Sequence, residues 1–368
     1  MAIKHSHPGI ASSFRGRVAL SAIAAAAAVG AGAFMCVPAF AGQQMIETGS
    51  SLLYPLFNLW IPPYVKAHAG LEITPQSTGS GTGISQAIDG TAQIGGSDAY
   101  LSPALAKQHG TIMNIPLAIS SQMVNYNLPG LGKTHLNLNG PVLASIFQGK
   151  IVAWNDEAIA KLNPGVKLPN KKIVTIHRTD GSGDTFIFTQ YLTASAPEWK
   201  SLGYGTTISW PSAPNAIGAV GNPGVVDAMK NAPYSIGYVG ISFKAVTQSN
   251  ALGEAALENQ AGKFVLSTAE SVMAAADALS GKTPADESLS LIFAPGDKSY
   301  PIVNYEYAIV DAKQPDAAMG REIKAFLSWT IMPEHGSAAG FLDQVSFVAL
   351  PPSVEKLSQT QIDKIGQD

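Results

Sequence analysis

The sequence predicts an α/β protein, and three observations carry that prediction. Short apolar runs alternate with longer helical patterns along most of the chain. The 24 prolines and 36 glycines are spread from end to end, which calls for many turns and speaks against a disordered, low-complexity chain. The 368 residues, 46% of them hydrophobic, suffice for two domains.

The first segment stands apart from the fold. Residues 1–41 have the form of a secretory signal peptide. Lys4, Arg15 and Arg17 make a positive start, and no charge occurs from 18 to 46. Val37-Pro38-Ala39-Phe40-Ala41 places small residues at the −3 and −1 positions of a cleavage site. A membrane anchor is disfavoured, because alanine and glycine contribute little to insertion and Pro38 breaks the end of the run. Lipid attachment at Cys36, the single cysteine, is not expected, since Met35 precedes it where a small residue is usual. Cleavage after Ala41 takes the net charge from −3 to −6 and leaves a thiol-free chain that tolerates an oxidising compartment.

A helix is predicted over 52–67, with Tyr54, Phe57, Trp60 and Tyr64 at a spacing that marks a core face. A strand over 71–74, a helix over 84–89 and a strand over 93–95 follow. Next come a strand at 122–126, helices at 140–147 and 156–162, and a strand at 172–177. The pattern continues with helices at 185–191 and 223–230, a strand at 235–239 and a helix at 268–279. It ends with a strand at 303–310 and a helix at 316–330. Segments 133–139 and 163–170 read as loops. There is no internal repeat and no later segment apolar enough to cross a membrane.

Three loops share one design. Thr48-Gly49-Ser50-Ser51-Leu52 opens the first helix. Ser77-Thr78-Gly79-Ser80-Gly81-Thr82-Gly83 leads from a strand toward Ile84. Arg178-Thr179-Asp180-Gly181-Ser182-Gly183-Asp184-Thr185 leads from a strand toward Phe186. A helix N-terminus presents free N–H groups and partial positive charge, glycine admits close approach, and hydroxyls add compact donors. Ordinary N-capping accounts for one such loop. Three of them, one bearing an arginine, point to an oxyanion cradle. Arg178 has the fork geometry for a tetrahedral oxyanion, and Asp180, two residues on, is placed to hold it.

Asp98, in Gly96-Ser97-Asp98, is a carboxylate that fits an anion site only if the ligand carries a proton for it to accept. Phosphate keeps a proton at neutral pH and sulfate does not, so Asp98 is expected to reject sulfate. The competing role is N-cap of the 102–108 segment.

Other chemistries are excluded. The net charge offers no basic field for nucleic acid, and a single cysteine permits neither a disulfide framework nor a thiolate metal site. His68, His109, His135, His177 and His335 show no metal-ligand spacing, so no metal or cofactor is expected. On a strand, His177 faces away from Arg178 and reads as structural. Gly132-Lys133-Thr134 and Gly281-Lys282-Thr283 mimic the end of a P-loop, but the required first glycine is Asn127 in one and Ala276 in the other. A phosphatase could use the same cradle, yet no activated nucleophile or metal set supports one.

The motifs Thr48-Gly-Ser-Ser-Leu-Leu-Tyr-Pro55, Gly79-Ser-Gly-Thr-Gly83, Gly96-Ser-Asp-Ala99, the run from Trp154 to Gly165 and His177-Arg-Thr-Asp-Gly-Ser-Gly-Asp-Thr-Phe186 occur in this order. With them the chain resembles the periplasmic phosphate-binding protein of the bacterial high-affinity phosphate ABC importer, the Pst system. The resemblance spans essentially all of residues 42–368. It implies a type II periplasmic binding protein: two α/β lobes, 42–117 with 304–368 and 118–303, joined by hinge strands near 116–119 and 302–305. It implies a periplasmic, monomeric, non-enzymatic protein that takes inorganic phosphate and delivers it to membrane permease subunits. It also implies the ligand set Ser50, Ser51, Leu52, Ser80, Asp98, Arg178, Ser182, Gly183 and Asp184, supported by Asp180 and Thr185. Leu52 stands where an aromatic is frequent and Asp184 where a threonine is. Asp184 is therefore expected to act through its N–H or as a helix cap, with Thr185 supplying the hydroxyl.

Overall fold

The computed structural model describes residues 42–131 and 134–367. The signal-peptide segment with Cys36, and the Gly132-Lys133 pair, lie outside them. The described strands are β1 (Gln43–Gly49), β2 (Leu71–Ser77), β3 (Ile94–Ser97), β4 (Ile112–Tyr126), β5 (Asn137–Leu138) and β6 (Val174–Arg178). They continue with β7 (Ile217–Ala219), β8 (Ser235–Gly240), β9 (Gly253–Glu254), β10 (Ala256–Glu258), β11 (Phe264–Val265) and β12 (Val303–Asp311).

Nine of them form one sheet in the order β2-β1-β3-β12-β4-β8-β6-β7, with β9 also on β4; β11, β10 and β5 form a small second sheet. β1 lies parallel between β2 and β3. β12 runs antiparallel between β3 and β4, and β8, β6 and β7 are parallel to one another. β4 is shared: its 15 residues pair with β12 up to Ser121 and with β8 from Gln122 onward.

Helices follow most strands, as the alternation of patterns predicts, but β5 follows β4, and β9, β10 and β11 are consecutive. The helix Tyr54–Ala67 buries Leu56, Phe57, Trp60, Ile61 and Tyr64 on one side. Phe57 and Trp60 meet edge to face, and Tyr64 packs on Phe326 of the helix Ala317–Ile331. Each buried aromatic removes about 200 Å² from water, worth roughly 5 kcal/mol as an upper bound. The helix Ala269–Ser280 starts at a reciprocal cap between Thr268 and Ser271.

The structure corrects the expected elements in several places. β1 and the first ten residues of β4 were not expected as strands. The helix expected from 84 begins at Ser80, and the one expected from 185 begins at Gly183. Part of the expected 133–139 loop is β5, paired with β10. The helices Pro103–Gln108, Lys244–Ser249, Ala339–Leu342 and Pro352–Ile362 are additional. No helix among the described residues is long and apolar enough to cross a membrane. Gly281-Lys282-Thr283 follows a helix rather than a strand, so it forms no P-loop.

Candidate anion-binding site

The three loops sit where strands end and helices begin, and they meet. Gly49 ends β1 with φ +140°, tight against the Gly96 backbone at the end of β3. A side chain has no room there. That turn puts Ser50 over the start of the first helix. Its Oγ accepts from the Leu52 and Leu53 N–H groups at 3.0 Å each and donates to Asp98 Oδ1. Leu52 is fully buried against Gly240 at the end of β8.

The second loop packs closely on the third. Gly79 has φ +94°, and a Cβ there would lie 2.6 Å from Gly181 O. The Gly81 N–H donates to Gly181 O at 2.8 Å. Ser80, first residue of its helix, is buried and accepts from the Asp98 N–H at 3.2 Å. In the third loop Ser182 caps its helix, accepting from the Thr185 N–H at 3.1 Å. Any side chain at Gly183 would collide with Asp98 Oδ2 and Ser80 Oγ. Ser80 and Asp98 thus face Gly183 across a gap only glycine tolerates.

Arg178 is the buried cation. Its Nε and Nη2 donate to Asp180, and Nη1 donates to Asp184 Oδ2 at 2.7 Å. Burial opposes its charge, but the two carboxylates hold its pKa above the ordinary value. Against its own partial burial, Asp180 is held below the usual carboxylate range by Arg178. Five N–H bonds are available to a guanidinium, so two remain for an anion.

Asp98 behaves differently. Burial first, and the charge of Asp184 second, push its carboxyl up to about 7. Its Oδ2 is buried and accepts no hydrogen bond from an N–H or hydroxyl group of the described residues. It is not an N-cap, because Ser102 caps the next helix.

One of the two roles expected of Asp184, helix cap, is overturned. Ser182 is the cap, and the Asp184 carboxylate is a hub, accepting from Arg178 Nη1, from Gln122 Nε2 at 3.0 Å and from Asn222 Nδ2 at 2.7 Å. Burial nevertheless raises its pKa. The Thr185 hydroxyl is 2.7 Å from Tyr238 Oη, which also accepts from the Arg178 N–H. Thr185 therefore braces the arginine strand. Ser51 Oγ accepts from Asn222 N and Nδ2 at 3.1 and 3.0 Å. His177 packs on Trp210, 5.0 Å between ring centres, away from the site.

Sequence reasoning missed Gln122, Asn222 and Tyr238. Only Asn222 had a visible signal: Gly221-Asn222-Pro223-Gly224 is a fourth glycine-rich helix start, and Gly221 has φ +65°. Among the described residues, no cluster of three or more His, Cys, Asp or Glu could hold a metal ion.

Two sets of loops carried on one shared sheet, meeting over a buried arginine, form the architecture of a solute-binding protein. A family model described as a PBP superfamily domain matches residues 39–334. Curated relatives named phosphate-binding protein PstS include one from Xylella fastidiosa (strain 9a5c), 37% identical over 84% of this chain and 82% of its own length. Another, from Methanocaldococcus jannaschii, is 35% identical over 87% of this chain and 86% of its own. The crystal structure of a phosphate-binding protein from Stenotrophomonas maltophilia shares the fold, with a TM-score of 0.64 at 17% identity over 87% of this chain and 94% of that one. The chain belongs to the PstS family within the PBP superfamily.

Proposed function

We propose that this chain binds inorganic phosphate in the periplasm and delivers it to the permease of a phosphate ABC transporter, acting as a monomer and without a chemical step. The single observation that carries this reading is Asp98: a buried carboxyl with one oxygen on Ser50 and the other, aimed at Gly183, bonded to no N–H or hydroxyl group of the described residues. Ionised, it accepts the proton of a hydrogen phosphate. An unprotonated oxyanion leaves it unpaired and repelled.

The proposed contacts are the Ser50, Ser51 and Leu52 loop, Ser80, Asp98, Arg178, and the Ser182-Gly183-Asp184 helix start. Asp180 and Asp184 orient the guanidinium, and Thr185 supports its strand. The proposed lobes are 42–117 with 304–368 and 118–303, crossing at β4 and β12. The change of partner along β4 supports that division. Phosphate held by both lobes favours their closed arrangement, the form a permease then recognises.

The test is calorimetric titration of the purified protein, unfolded and refolded to strip ligand, with phosphate in excess sulfate. One-to-one binding indifferent to sulfate is expected. A folded protein that takes no phosphate would overturn the proposal.

A further inference from the structure

The anion site has a second buried carboxyl behind it. Ser97 pairs with Tyr307 in the antiparallel ladder of β3 and β12, so Asp98, one residue on, lies opposite Glu306. The register places the two carboxyl groups side by side, each acts on the other's protonation, and both are buried. Glu306 Oε1 accepts from Ser120 Oγ at 2.5 Å and from Asn304 Nδ2 at 3.0 Å. Its Oε2, like Asp98 Oδ2, is buried and takes no donor hydrogen bond from the rest of the protein. Two bare carboxylates cannot share such a place; one proton must lie between them.

We propose that Glu306 is a specificity-determining residue of the anion site: it keeps the proton shared with Asp98 and donates it in a hydrogen bond, so that Asp98 remains the ionised acceptor facing the ligand. This rests on the phosphate reading above. The surroundings favour that placement of the proton. Facing Glu306 are Asp98 from the end of β3, Ser120 from β4 and Asn304 from its own strand. Asp98 additionally feels Asp184 and the cation of Arg178. The cation draws the negative charge to Asp98. Burial and the neighbouring Asp98 charge both favour the neutral form of Glu306. With the proton on Asp98 instead, the site would donate to its ligand and accept sulfate.

Two near-isosteres separate the cases. Glu306→Gln keeps a donor toward Asp98, so phosphate affinity should stay within about threefold of wild type from pH 5 to 9, with sulfate still excluded. Glu306→Met removes the donor, and Asp98 then takes up a proton more readily. The acid limb of phosphate binding should move up by at least about one pH unit, giving about a tenfold loss at pH 7 that recovers by pH 9. A merely space-filling Glu306 predicts a loss equal at every pH. That result would overturn the inference, as would a Glu306→Gln limb displaced by a full pH unit or new sulfate binding in that variant. Infrared difference spectra of the phosphate-bound forms give a readout independent of how the methionine variant folds. Wild type minus Glu306→Gln should contain one protonated-carboxyl band, and its absence sinks the proposal. Wild type is titrated first. If it takes no phosphate, the phosphate reading itself fails; if it binds and the variants misbehave, only the role of Glu306 falls.

Discussion

Replacing Asp98 by asparagine separates what this carboxyl does for the ligand from what it costs the protein. In the fold its pKa rises from 3.8 to about 7, through burial and then through Asp184. A raised carboxyl disfavours its own ionisation in the folded state. Stability is therefore unaffected below about pH 4, declines as the pH climbs from 3.8 toward 7, and carries the full penalty above that. The gap corresponds to on the order of 4 kcal/mol. An amide has no charge to desolvate, keeps an acceptor for Ser50 Oγ and offers a donor to Glu306. Ligand-stripped Asp98→Asn should accordingly exceed wild type in stability by up to about 4 kcal/mol at pH 8, and match it near pH 4. The same change removes a hydrogen bond to a charged acceptor, worth about 1.5–3 kcal/mol, so phosphate affinity should fall by about ten- to a hundredfold while sulfate gains. Urea unfolding of both proteins at a series of pH values, with calorimetry at pH 8, measures the two effects. A variant no more stable relative to wild type at pH 8 than at pH 4 refutes the argument that this carboxyl burdens the fold.

Three further substitutions probe the cradle. Gly183→Ala forces a methyl against Asp98 and Ser80, so binding should weaken at least about a hundredfold and urea unfolding should show a loss of about 1–3 kcal/mol. Arg178→Lys loses the fork that serves both Asp180 and Asp184 and leaves buried carboxylate oxygens unmatched; denaturant titration should show a loss of about 3–5 kcal/mol. Asn222→Ala strips Ser51 of its side-chain donor and Asp184 of one of its three side-chain donors, so phosphate release in stopped flow should accelerate about tenfold or more.

The three loop-to-helix junctions were legible because their chemistry is local: glycine, hydroxyl and arginine within a few residues. The partners that organise them were not. Gln122 and Tyr238 are ordinary strand residues, and only the ladder of β4 with β8 brings them under the third loop. β1 was hidden because Gln43-Gln44-Met45-Ile46-Glu47 offers few apolar residues; its place between β2 and β3 is set by tertiary pairing. The start of β4 was hidden by Pro116, which argues against a strand interior. It is tolerated because the register with β12 shifts between Glu306 and Tyr307, opposite that proline. The helix Pro352–Ile362 buries Ser358 and Gln361 beside Val354 and Ile362, so counting apolar residues alone misses its face.

The strand order has a consequence for how the chain acquires its shape. β3 is formed early in the chain, yet its neighbour on the far side is β12, so everything from Asp98 to Ile302 must be delivered before that edge is covered. A chain arriving from its N-terminus, whether from a ribosome or through a pore, therefore keeps an open sheet edge until nearly its end. Closing that pairing spans most of the polypeptide, which makes the last step slow and cooperative.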